Sequence, residues 1–228
     1  MIIEIQKSGL CNRLMILLYF INKYQDEGLK VVWTPNYACN GNFLDYFEPI
    51  NNISFVETKN ELQNVFNATL KYMINSQQDD LGKSCIFMQL NQLKLIPEIQ
   101  SKLDYYLNSL TKPFIAIHIR RTDYGRILQK LKDAPTEDDF HEFISQYPNH
   151  DIYIATDCKK MQLKFINKYV DRILFYKKIE ACEGTTYLRQ TNLEHSIMDI
   201  YICCHAEYFM GTKDSTFSRF IKQLKNKI

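Results

Sequence analysis

Residues 113–119 read Pro-Phe-Ile-Ala-Ile-His-Ile, an unbroken apolar run that ends at two arginines, Arg120 and Arg121. A strand apolar on both faces is the mark of a parallel sheet covered on both sides, not of a half-solvated antiparallel one. Parallel neighbours need crossovers, and the rest of the chain supplies them. Strand-like runs at 2–6, 29–33, 53–57, 151–155, 172–176 and 207–210 alternate with helix-like runs at 13–26, 96–110, 136–147, 159–169, 191–205 and 215–225. In the first helical run Leu14, Leu17, Leu18, Ile21 and Tyr24 fall at helical spacing, and Gly28 closes it. This alternation implies right-handed crossovers and doubly wound parallel sheets, an α/β chain. With 228 residues there is room for one large domain or two smaller ones. A soft boundary is placed near Thr111, giving parts 1–111 and 112–228, with no flexible linker between them.

Composition narrows the class. The chain is 46% apolar and 24% charged, with only seven glycines and six prolines, which excludes a disordered or low-complexity protein. No apolar run approaches the ~20 residues that a membrane span needs. The opening Met-Ile-Ile-Glu-Ile lacks the basic region and apolar core of a signal peptide, so a cytoplasmic location is expected. Basic and acidic residues nearly cancel, 28 against 26, and leave no electrostatic footprint for nucleic acid. Seven scattered cysteines without a Cys-x-x-Cys pair point to a reducing compartment. Cys203, Cys204 and His205 form the one cluster, but adjacent side chains on a helix diverge, so no metal is expected there.

In open parallel sheets, ligands bind outside the carboxyl ends of the strands. After the run 113–119 come Arg120, Arg121, Thr122 and Asp123, and alternation sets His118 and Arg120 on one face. After 151–155 come Thr156 and Asp157. After 207–210 comes Gly-Thr-Lys-Asp-Ser-Thr-Phe, leading straight into a helix that begins near Ser215. After the first strand come Gly9, Asn12 and Arg13. Charges, amides and hydroxyls thus collect on one edge, and the set suits a nucleoside diphosphate. Free amides at Ser215, Thr216 and Phe217 would form an anion site, and Arg120 offers a planar, permanently charged fork. Taken singly, Arg-Arg-Thr-Asp also reads as a solvated loop and Asp-Ser-Thr as a plain helix cap. A guanidinium at the end of a buried strand, however, costs stability without an anion partner.

These residues resemble the motifs of the GDP-fucose-dependent fucosyltransferase superfamily, which spans α1,6-, α1,2- and protein O-fucosyltransferases. His-Ile-Arg-Arg-Thr-Asp at 118–123 resembles its first motif and Ile-Tyr-Ile-Ala-Thr-Asp at 152–157 its second. The third is matched by 199–209 followed by Ser-Thr-Phe-Ser at 215–218, and Gly-Leu-Cys-Asn-Arg-Leu at 9–14 looks like the N-terminal glycine turn. The resemblance implies a GT-B-like architecture, two Rossmann-like halves facing a cleft, with an acceptor side at 1–111 and the donor held by 112–228. It implies transfer of fucose from GDP-fucose to a carbohydrate or glycoprotein acceptor, with inversion and without a metal or other cofactor. The chain indeed has no Asp-x-Asp triplet to hold a divalent ion on a diphosphate.

By this likeness Arg120 binds the β-phosphate and stabilises the leaving GDP. His118 and Asp199 lie near the guanine, an aspartate being a fitting acceptor for its ring N–H and amino group. Ser215, Thr216, Phe217 and Ser218 cradle the phosphates, while Asn12 and Arg13 approach them from the other half. Arg121, Asp123 and Asp157 match motif positions, the two carboxylates serving either ligand or loop. The α1,6 enzymes carry a glutamate shortly after the first motif, and 124–131 supplies no acid here. Asp45, Asp123, Asp133 and Glu137 stay open as the general base, and a non-catalytic nucleotide- or glycan-binding relative is the alternative. Trp33, Tyr37, Phe43 and Tyr46 are readable either as core or as rings that stack on sugars.

Overall fold

The structure, a computed structural model, describes residues 1–56, 62–71, 86–121, 135–179 and 191–227. Packing divides them into two units, Met1–Lys102 and Leu103–Asn226. The division falls inside the helix Pro97–Asn108, ahead of Thr111.

In the first unit β1 (Ile2–Ile5), β2 (Leu29–Val32), β3 (Ile53–Val56) and β4 (Phe66–Ala68) form a parallel sheet in the order β3-β2-β1-β4. Helix α1 (Leu10–Tyr24) buries ten of its fifteen side chains, so it acts as an inner layer and not as a one-sided surface helix. A short 3-10 turn, Gln25–Glu27, ends it. Gly28 then takes φ 79°, a left-handed conformation that only glycine reaches without a steric cost, and releases the chain into β2. Phe43 stacks on Phe55 at 4.3 Å and on Phe47 at 4.9 Å, with Trp33 edge-on at 5.7 Å. Trp33 and Phe43 are therefore core, whereas Tyr37 is 81% exposed. Neither β4 nor the 3-10 segment Ile86–Gln92 has a pattern that announces it in the sequence.

The second unit takes in the end of α2 (Pro97–Asn108) and holds β5 (Phe114–Ile119), α3 (Glu137–Ser145), β6 (Asp151–Thr156), α4 (Lys159–Lys168), β7 (Ile173–Leu174), α5 (Leu193–His205), β8 (Tyr208–Gly211) and α6 (Thr216–Lys225). Its sheet is parallel throughout, in the order β7-β6-β5-β8. All six residues of β5 are buried, as expected of an inner strand covered on both sides. One face packs Ile115, Ile117, Ile119, Ile152 and Ile154 against Phe140, Ile144, Met161 and Phe165 of α3 and α4. The opposite face carries Ala116 and His118 beside Tyr153, Ala155, Phe209 and Gly211, and α5 and α6 lie over it. Thr136 caps α3 by accepting from the Asp139 amide, and Asn192 caps α5 by accepting from the His195 amide at 2.8 Å.

Strand order locates the place where a ligand fits. From β5 the chain builds outward through β6 to β7, then returns to lay β8 on the other side of β5. The reversal leaves a crevice at the carboxyl ends of β5 and β8, the topological switch point at which open α/β sheets bind their ligands. Among the described residues no helix is long and apolar enough to cross a membrane.

Candidate functional site

Strands β5 and β8 pair in register up to His118 opposite Gly211. Beyond that pair the ladder ends, and Thr212 joins the two strand ends. Its amide and its hydroxyl each donate to the His118 carbonyl at 3.0 Å, and the same hydroxyl accepts from the Arg120 amide at 3.0 Å. Thr212 is 1% exposed. The chain then turns through Lys213 and Asp214, where Asp214 takes φ 59° and the Ser215 amide donates to the Thr212 carbonyl at 3.3 Å. Aspartate is one of the few non-glycine residues that tolerate this conformation. The turn delivers the first turn of α6 to the end of β5.

Ser215 is the N-cap of α6, 2% exposed, and its hydroxyl neither caps the helix nor meets another partner among the described residues. The opening amides of a helix have no intrahelical acceptor. Amides of Thr216, Phe217 and Ser218, a buried hydroxyl and the positive end of the helix dipole therefore converge on one spot, suited to an anion. Arg120, half-buried, stands at the end of the adjoining strand, and its charge is felt inside the site: burial first, then this guanidinium, lower the His118 pKa to about 3. The neutral histidine adds no charge of its own beside Arg120.

His118 is buried, its Nδ1 is hydrogen-bonded to Ser218 Oγ at 2.7 Å, and its ring stacks on Phe217 at 4.5 Å, so that it ties β5 to α6. Gly211 makes this possible, because a Cβ there would stand 2.5 Å from Ser218 Oγ and 2.6 Å from Ser218 Cβ. Phe217 likewise spends its ring on His118, so only its amide remains for an anion.

Arg121 points to the other side of β5, as alternation requires. Its amide donates to Asp157 Oδ1 at 3.2 Å and its guanidinium to the Pro135 carbonyl at 3.2 Å, so Asp157 and Arg121 hold the loop ends together. Thr156 adds a bond from its hydroxyl to the Ile119 carbonyl at 2.6 Å. Asp123 lies outside the described residues.

Asp199 sits on α5, 3% exposed, and accepts from the Tyr153 hydroxyl at 2.6 Å. Burial pushes its pKa well up. His195 Nε2 approaches it at 3.7 Å, but burial lowers this imidazole to about 4, so the histidine brings no positive charge to the contact at neutral pH. The tyrosine that satisfies Asp199 stands 46 residues away in the chain, which is why sequence alone did not supply it.

These groups carry a pH signature. An imidazole held neutral in the folded chain takes up a proton on unfolding, so His118 and His195 add stability at neutral pH that is lost as pH falls from about 6.5 toward 4 and below. A carboxyl with a raised pKa works in the opposite sense, weakening the fold as pH rises above its ordinary value of 3.8. Denaturant midpoints measured from pH 4 to 6.5 are expected to rise, and Asp199→Asn is expected to steepen the rise. An unaltered slope in that variant would mean that Asp199 ionises normally in the folded protein.

In the first unit the structure places Asn12 and Arg13 on the opening of α1. The Asn12 Oδ1 is buried and meets no donor among the described residues. Arg13 is wholly buried: Nη2 donates to the Thr34 carbonyl at 2.6 Å and the guanidinium lies 4.2 Å over the Trp33 ring. It fixes the exit of β2, while its Nε and Nη1 are buried and meet no acceptor among the described residues.

Three comparisons with known proteins bear on the family and the fold. A family model described as GDP-fucose protein O-fucosyltransferase matches residues 37–226. The chain is 27% identical over 113 residues to GDP-fucose protein O-fucosyltransferase 2 of Caenorhabditis elegans, covering 49% of this chain and 26% of that protein. The human protein of the same name is 26% identical over 115 residues, covering 49% and 25%. The chain thus spans about a quarter of the length of these relatives. Among solved structures, fucosyltransferase NodZ from Bradyrhizobium superposes with a TM-score of 0.62 at 14% identity, covering 97% of this chain and 92% of that one. POFUT1 in complex with GDP-fucose gives 0.65 at 11% identity, covering 98% and 93%. At such identities the likeness shows the fold, the GT-B class of α/β architecture.

Proposed function

The chain belongs to the GDP-fucose protein O-fucosyltransferase family, and from that premise we propose that it transfers fucose from GDP-fucose to a hydroxyl of a carbohydrate or glycoprotein acceptor, inverting the anomeric carbon without a metal ion. The observation that carries this reading is the junction of β5 with α6: a half-buried arginine beside a helix N-terminus whose buried cap hydroxyl has no protein partner among the described residues. That junction suits the diphosphate of a sugar nucleotide.

In this mechanism the bond between the anomeric carbon and the β-phosphate oxygen lengthens before the acceptor oxygen bonds to that carbon, and the acceptor's proton leaves last, to the departing phosphate. Before that transfer, negative charge gathers on the departing phosphate. Arg120 neutralises it with a fork that matches two phosphate oxygens, and the α6 amides supply fixed dipoles that need not reorganise during the reaction. Such preorganised donors are worth most where charge develops in the transition state. The absence of an Asp-x-Asp triplet from the sequence supports protein groups, in place of a divalent ion, as the counter-charge.

A thermal-shift screen with GDP, UDP, CDP and ADP tests the donor, since a ligand that binds only the native state raises its stability. GDP alone is expected to raise the melting temperature, and GDP-fucose is expected to release GDP slowly in solution. Indifference to all four nucleotides would overturn the proposal. Stabilisation by GDP without any cleavage of GDP-fucose would leave a binding protein on a transferase fold.

A further inference from the structure

From the junction of β5 and β8 we infer that Thr212 is a positioning residue for the diphosphate, acting through Arg120 and the α6 N-terminus; this rests on the phosphate reading above. No sequence motif assigns it a part. Its geometry does. One hydroxyl donates to the His118 carbonyl and accepts from the Arg120 amide, both at 3.0 Å, while the Thr212 amide donates to the same carbonyl. The hydroxyl thereby takes the place of a further ladder acceptor at the point where the β5–β8 pairing stops. The backbone of Arg120 is held by the residue from which the turn into α6 departs.

The link closes on itself. Three residues past Thr212, Ser215 opens the helix and its amide returns to the Thr212 carbonyl at 3.3 Å. A turn later Ser218 reaches His118 Nδ1 at 2.7 Å. The anion-binding amides and the guanidinium arise on separate elements, and both are referenced to the His118–Thr212 pair. Losing the hydroxyl takes the acceptor from the Arg120 amide and leaves the His118 carbonyl with the Thr212 amide alone, which loosens the tie between the arginine backbone and the turn into the helix. Groups that must grip two ends of one ligand lose affinity when their spacing loosens.

Thr212→Val keeps the shape and removes the hydroxyl. Binding of GDP and of guanosine to the full chain, measured by calorimetry, separates a phosphate effect from a general one. The native chain is expected to prefer GDP strongly over guanosine. Thr212→Val is expected to weaken GDP about tenfold with guanosine unchanged, the size of one lost hydrogen bond, and Thr212→Ser to restore it. Should the valine variant fail to fold, Thr212→Cys, whose thiol is a weak donor and acceptor, carries the same comparison with a smaller drop. An equal loss of GDP and guanosine, or a preserved preference for GDP, would overturn the inference. A native chain that binds GDP no better than guanosine would instead defeat the phosphate reading on which it rests.

Discussion

Arg120→Ala is expected to cut the release of GDP from GDP-fucose by about a hundred- to a thousandfold, the usual cost of removing one preorganised donor from a developing anion. The residue stands at the carboxyl end of a strand buried along its whole length, at the switch point of the sheet. Its charge reaches the neighbouring His118, which burial already keeps neutral. A lysine at 120 would keep the charge without the planar fork, so Arg120→Lys is expected to fall between the alanine variant and the native chain. Arg121 offers the control. Its guanidinium is engaged with the Pro135 carbonyl and its amide with Asp157, away from α6, so Arg121→Lys is expected to cost less than tenfold in turnover. Equal tolerance of changes at 120 and 121, read in a coupled GDP assay, would contradict this assignment.

Gly211→Ala has the largest expected effect on the fold. A methyl group at that position would stand 2.5 Å from Ser218 Oγ, 2.6 Å from Ser218 Cβ and 3.0 Å from the Phe209 ring. Ser218 is held in place by its bond to His118, so the clash is relieved only by moving β8 and the first turn of α6 apart. Overpacking of this severity costs about 3 kcal/mol, a large share of a typical domain's stability. The same shift would move the α6 amides, so GDP binding is expected to weaken along with the denaturant midpoint. A second change isolates the cause: Ser218→Gly removes both close atoms. The double variant is expected to be more stable than the sum of the two single changes allows, a positive coupling that additive effects would refute.

How much of this was readable beforehand depended on whether the deciding contact was local. The buried strand at 114–119 declares itself, because it is nearly unbroken in apolar residues, with isoleucines on one face and Phe114 and Ala116 on the other. Helix α6 does so as well, with Phe220, Ile221 and Leu224 on one side and lysines on the other. Strand β4 does not: Phe-Asn-Ala has little pattern of its own and pairs only because the edge of β1 is there to receive it. At 172–176 the sequence suggests five strand residues, yet only Ile173 and Leu174 pair with β6.

The site divides in the same way. Arg120 and the Ser215–Ser218 turn are legible because polar residues directly after strands must gather on one sheet edge. Thr212 and Gly211 are not, since their importance depends on the register that sets His118 opposite Gly211. Asp199, inside an apolar helix, needs a buried partner, and the tyrosine that supplies one, Tyr153, stands in mid-strand where no spacing rule reveals it. His118 shows the same limit from the opposite side. Its position after the strand was readable, but not the room that Gly211 leaves for Ser218 to reach it.

The most direct measurement is a crystal structure of the chain with GDP bound. The terminal phosphate is expected within hydrogen-bond distance of both the Arg120 guanidinium and the opening amides of α6, with Ser215 Oγ turned to it. A diphosphate lying elsewhere, with the Arg120 side chain directed to solvent, would refute the assignment of Arg120 and α6 to the leaving phosphate.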